Sequence, residues 1–139
     1  MTTLISNYPI VTATAAAALG LLQTVLSVFV SSRRRKINVS IGDGGDKELV
    51  ARIRAHGNLA ENVPIFLILL ALIETSARWT SALPWIAAIF VGVRIFHAFG
   101  MARPSPNVWR VASAGGSLVI VFALALLLLA TIRQLVLAG

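Results

Sequence analysis

Arg54, Asn58 and Glu61 stand at positions i, i+4 and i+7, so on a helix a guanidinium, an amide and a carboxylate share one face within two turns. They open an apolar stretch of the length and character of a membrane-spanning helix. Placing an ionisable group at membrane depth costs roughly 2.5 to 3.5 kcal/mol on insertion scales, and such groups face a bundle interior or a wet cavity. The face is therefore a candidate ligand site. A second polar stripe, Arg94 and His97 at i and i+3, lies within another apolar run. Arg94 needs a partner there, and Glu61 is the expected one, because a guanidinium fork can bind a carboxylate through two charge-assisted hydrogen bonds. With two histidines, no cysteine and no second carboxylate near Glu61, a metal site is not expected.

Those residues have to be carried by membrane helices. The 139-residue chain is 58% hydrophobic and 12% charged, with a mean hydropathy of +0.87, a balance that excludes an ordinary soluble domain. Four apolar segments, about 8–31, 49–74, 81–102 and 111–133, each reach the roughly 20 residues a spanning helix needs. The expected fold is a single all-α domain, a four-transmembrane-helix bundle over residues 1–139. Ala-x-Ala spacing early in the first segment resembles a signal-peptide cleavage region. Residues 1–10 hold no Lys or Arg, however, and apolar residues continue to Val30, so a retained helix is expected.

The net charge of +7 does not point to nucleic acid, because the basic residues flank apolar spans. Arg33, Arg34, Arg35, Lys36 and Lys47 fall in the first connection, about 32–48, and Arg103 and Arg110 around the third, against Arg78 alone in the second. The positive-inside rule puts the first and third connections in the cytoplasm and both termini outside. Gly42 to Gly45 lack the phosphate-binding pattern G-x-x-x-x-G-K-[ST]. They read as a turn, with Asp43 or Asp46 capping the next helix. Pro64 predicts a kink one turn beyond Glu61. Arg52 and His56 lie on the face opposite Arg54 and should meet another helix or lipid headgroups, and Glu74 and Arg78 read as an interfacial ion pair.

Taken together, Arg54-x-His56-x-Asn58-x-x-Glu61 followed by Pro64 resembles the second-helix signature of the MAPEG family, the membrane-associated proteins of eicosanoid and glutathione metabolism. The basic end of the first helix, with Arg34 and Arg35, resembles the same family. Arg94-x-x-His97 with Arg110 sixteen residues after Arg94 is similar to the prostaglandin E synthase branch, and the Gly42 to Gly45 loop looks like the bacterial branch.

The resemblance implies a homotrimer in a bacterial inner membrane, in contact with lipid, with glutathione as co-substrate in a cytoplasm-facing cleft between subunits. It implies that Arg54, Asn58 and Glu61 hold the glutathione backbone, that Arg34 and Arg35 approach it from the first helix, and that Arg94 and His97 lie nearby on the third. Arg110 matches the arginine that stabilises the thiolate, and is the expected catalytic residue. A thiol of pKa about 8.5 is mostly protonated at neutral pH, and a guanidinium beside it favours the nucleophilic anion.

The chain also departs from the pattern. Asn62 stands where glutathione-using members often carry a tyrosine, Met101 and Ala114 occupy two tyrosine positions of the prostaglandin branch, and Val111 replaces a serine next to the expected catalytic arginine. The leading expectation is a glutathione-dependent transferase or peroxidase, like the microsomal glutathione transferases, that acts on an apolar electrophile arriving from the bilayer. A thiol- or lipid-binding membrane protein without catalysis and a small multidrug-type transporter are the alternatives.

Overall fold

A computed structural model of the chain describes residues 8–77, 79, 81–101 and 108–138, apart from the side chains of Trp109, Arg110 and Ala138. Among the described residues there are four helices: α1 (Ile10–Lys36), α2 (Lys47–Thr75), α3 (Leu83–Met101) and α4 (Val108–Ala138). Each is long and apolar enough to cross a membrane. α2 and α3 pack on each other, and α1 and α4 each pack on both. Among the described residues α1 and α4 do not touch, so the bundle is a rhombus with α2 and α3 on its short diagonal. Phe66 and Phe90 stack along that diagonal with ring centroids 3.7 Å apart.

α1, α2 and α4 outrun their apolar segments at one end or both, while α3 falls within its own. α1 continues through Arg33 to Lys36 where the hydropathy alone stops near residue 31. Cations in a last turn face the negative end of the helix dipole, which lets the basic run remain helical. The first connection shrinks accordingly, from about 32–48 to the residues between Lys36 and Lys47. Gly44 has a φ of +58°, and a Cβ there would come within 2.6 Å of Val39. That position requires glycine both for its backbone and for the close approach. Asp43 Oδ1 accepts from the Gly45 N–H at 2.9 Å, which closes the turn before Asp46 starts α2. α2 then runs without interruption through Pro64.

Lipid tails are as apolar as leucine, so burial alone does little to hold helices together in a bilayer, and polar ties matter more. At the basic end, Asp46 caps α2 through the Leu49 N–H at 2.7 Å and receives both Nε and Nη2 of Arg33 from α1. Glu48 bridges Arg33 and Arg52, and Arg52 also donates to the Phe29 carbonyl of α1 at 2.7 Å. Deeper, the side-chain amide of Gln23 on α1 meets His56 Nε2 on α2 at 2.8 Å. Arg52 and His56 thus both meet α1. At the opposite end the Glu74 carboxylate accepts from the N–H groups of Val11 and Thr12 and from the Thr12 hydroxyl, at 2.7 to 2.8 Å. It serves the unsatisfied donors at the start of α1 in the way a capping residue would. Arg78, its expected ion-pair partner, lies outside the described residues.

Candidate functional site

One face of α2 carries Arg54, Gly57, Asn58 and Glu61 to the wall of a cleft of about 680 Å³. Helical spacing places them there, with Ile53 beside them. The opposing wall comes from His97 and Met101 on α3 and Val111 and Ala114 on α4. The cleft is therefore charged along one helix and apolar at the far side, except for one imidazole. Arg54 and Glu61 are both exposed, and neither makes a hydrogen bond or ion pair among the described residues. Two opposite charges share a helix face at a spacing of seven residues, and each is left available for a partner supplied from outside.

Arg94 sits behind that wall and departs from the expected pairing. It is 2% exposed, and it forms no ion pair with Glu61. Its Nη2 donates to the Asn58 backbone carbonyl and to Asn58 Oδ1, the latter at 2.8 Å. Nη1 donates to Ser117 Oγ on α4 at 2.9 Å, and the guanidinium lies 5.9 Å from the centroid of the Phe90 ring. The physical reason is proximity: three neutral oxygens, two of Asn58 on α2 and one of Ser117 on α4, lie within reach of the Arg94 fork and accept from it, while Glu61 is exposed on its helix. Glu61 acts on Arg94 only through space. One donor, Arg94 Nε, has no protein partner among the described residues.

The same network fixes Asn58 and His97. The Asn58 carbonyl accepts from the Asn62 side chain at 2.9 Å as well as from Arg94, so Asn62 supports the site from behind. His97, 4% exposed, places Nδ1 2.9 Å from Ser113 Oγ on α4. Ser117 Oγ donates to the Ser113 carbonyl at 2.9 Å. Ser113 and Ser117 stand four residues apart in the otherwise apolar stretch 111–130 of α4, a spacing that puts two hydroxyls on one face. That pair is the signal in the sequence for the α4 side of the network.

Arg34 and Arg35 are elsewhere. They line a second, more open concavity of about 620 Å³ with Ser31, Asn38, Val39 and Ser40, where Arg34 Nη1 donates to the Ser40 carbonyl at 3.1 Å. Within one chain they do not reach the cleft that holds Arg54 and Glu61. Arg110 begins the first turn of α4, one residue before the cleft-lining Val111, and its side chain lies outside the described residues. Among the basic-end groups outside the apolar spans, the Asp46 carboxyl is held down at about 2 from an ordinary 3.8, first by the Arg33 hydrogen bond and then by the Leu49 N–H.

The sequence model of the MAPEG family matches residues 12–130. Two curated relatives, each called inner membrane protein YecN, come from Escherichia coli strain K12 and from Escherichia coli O6:H1. Each is 32% identical over 80 residues, which cover 58% of this chain and 61% of the relative. The match thus spans about three-fifths of the length of these relatives. The family match runs from the first turn of α1 almost to the end of α4 and takes in every residue of the cleft. An integral membrane protein with four membrane-length apolar helices among its described residues, this chain belongs to the MAPEG family.

Proposed function

We propose that the protein is a glutathione-dependent transferase or peroxidase of a bacterial inner membrane, acting on apolar electrophiles. The observation that carries this reading is the cleft itself, in which uncommitted Arg54 and Glu61 face an apolar wall of Met101, Val111 and Ala114. Glutathione presents carboxylates to a guanidinium and an ammonium to a carboxylate, and its thiol end is left beside the apolar wall. An electrophile dissolved in the bilayer can meet the sulfur there. Arg110 at the start of α4 is the cation assigned to the thiolate, by its match to the family. In a homotrimer, Arg34 and Arg35 would reach the glutathione from a neighbouring subunit, with the basic ends of the helices facing the cytoplasm.

A second reading, glutathione or lipid binding without turnover, is favoured by one observation: the apolar wall carries Met101, Val111 and Ala114 where hydroxyls would assist the thiol. Conjugation by purified protein separates the two. Turnover of a generic apolar electrophile should depend on glutathione and fall roughly tenfold or more in Arg110→Ala, as expected when a charge that stabilises a developing anion is removed. Arg110→Lys should keep part of it, since a point charge still favours the thiolate. Binding without any turnover would establish the second reading.

A further inference from the structure

α1 ends in a turn that shapes the basic concavity. Asn38 takes a φ of +55°, a left-handed conformation that asparagine tolerates better than most residues. Its N–H donates to the Arg35 carbonyl at 3.3 Å, and the Val39 N–H donates to the Arg34 carbonyl at 3.0 Å. This pair of bonds is a Schellman cap, which satisfies terminal carbonyls and folds the chain back over the last turn of its helix. Ser40 is thereby brought to α1, where its carbonyl accepts from Arg34 Nη1 at 3.1 Å. Ser31, Arg34, Arg35, Asn38 and Ser40 line the resulting hollow of about 620 Å³.

The nearby acids are committed elsewhere. Asp46 is taken by Arg33, and Glu48 by Arg33 and Arg52, while Asp43 accepts from the Gly45 N–H. None of the three lines the hollow. Arg34 commits one donor to Ser40, and the side chains of Arg35, Ser31, Asn38 and Ser40 make no hydrogen bond or ion pair among the described residues. Two guanidinium groups, two hydroxyls and an amide therefore converge with no carboxylate among them. Phosphate oxygens match such a set, since a guanidinium fork can bind two of them at once.

We propose that this hollow binds the phosphate of an anionic phospholipid, with Ile41 as an apolar anchor beside it. The apolar run of α1 reaches Val30, so Arg34 and Arg35, about one turn further, lie at the level of the headgroups. Basic side chains at that level attract anionic lipids. Ile41, next to Ser40 in the chain, is 92% exposed. A soluble anion would give that side chain nothing to pack on, whereas burial at the boundary of headgroups and acyl chains is favourable. The proposal goes beyond the glutathione reading and does not displace it. Each guanidinium carries five donors, so a phosphate held here leaves others for a carboxylate.

Thermal melts of the intact protein in a zwitterionic detergent, without glutathione, test the site. Short-chain phosphatidylglycerol, phosphatidylcholine with the same acyl chains and glycerol 1-phosphate are each titrated in. Phosphatidylglycerol should raise the melting temperature to a plateau, and phosphatidylcholine should raise it much less. Glycerol 1-phosphate should give no rise at the concentration where the anionic lipid saturates. In Arg35→Gln, which has no intramolecular bond to lose, the half-saturating concentration of phosphatidylglycerol should increase roughly fivefold or more. Arg34→Gln should increase it at least as much, and Ile41→Ser should increase it as well. Lys36→Gln combined with Lys47→Gln removes two charges that do not line the hollow, and should have a smaller effect than either arginine variant. Equal rises with the two lipids, or a rise with glycerol 1-phosphate as large as with phosphatidylglycerol, would overturn the inference. So would an unchanged half-saturation in Arg35→Gln or in Ile41→Ser, or a loss in the double lysine variant as large as in Arg35→Gln. Because no glutathione is present, each of these results leaves the glutathione reading standing.

Discussion

A guanidinium among apolar helices must be paired or fully hydrogen-bonded, and Arg94 takes the second course. Its fork is held by Asn58 on α2 and Ser117 on α4, so one side chain on α3 ties three helices. Ser117→Ala would leave Nη1 without that acceptor while changing the volume little. An unsatisfied buried donor costs about 1 to 3 kcal/mol, and the melting temperature in detergent should fall accordingly, whereas Ser117→Thr, which keeps the oxygen, should melt close to the wild type. An unchanged melt in Ser117→Ala would mean that the contact contributes nothing. This tie was only half legible in the sequence. The spacing of Arg94 and His97 shows that they share a face and that the guanidinium needs partners. It does not show which way a long side chain turns, and the expected Glu61 pair gave way to closer neutral oxygens. Ser113 and Ser117 went unread because a serine in an apolar helix commonly bonds to the carbonyl one turn back, as Ser117 also does here.

At the scale of elements, the four spans could be read from hydropathy and length, but their ends could not. α1 extends to Lys36 because Arg33 finds Asp46 and Glu48 across the turn, a contact that depends on where the chain returns. Asp46 is legible as a cap from its place before α2, but its second role as the anchor of Arg33 is not. The two roles together predict a pH response. A carboxyl held at about 2, below its ordinary value, stabilises the fold fully above that ordinary value, and the contribution is lost as pH falls from about 4 towards 2. The wild-type melting temperature should therefore drop across that window. Asp46→Asn should start lower at pH 5 and drop less between pH 4 and 2. A variant with the same slope as the wild type would show that another carboxylate governs the response.

The whole molecule presents a single chain with a polar cleft on the side of α2 and a second basic concavity at the end of α1. Family membership was legible from the spacing of Arg54, Asn58, Glu61, Arg94 and His97, because a few ionisable residues in an apolar chain stand out from their background. The electrophile was not legible, since the wall that would receive it consists of apolar side chains indistinguishable in sequence from any lipid-facing surface. The central claim is that Arg54 and Glu61 are kept unpaired for glutathione. It is tested most directly by thermal melting of the detergent-solubilised protein across a glutathione series, where a ligand that binds the folded state raises stability as RT ln(1 + [L]/Kd). The wild type should show a saturating rise in melting temperature, and Arg54→Ala and Glu61→Gln should each lose it while keeping the assembled state of the wild type. A wild type that does not respond to glutathione, or a full response in both variants, would contradict the account.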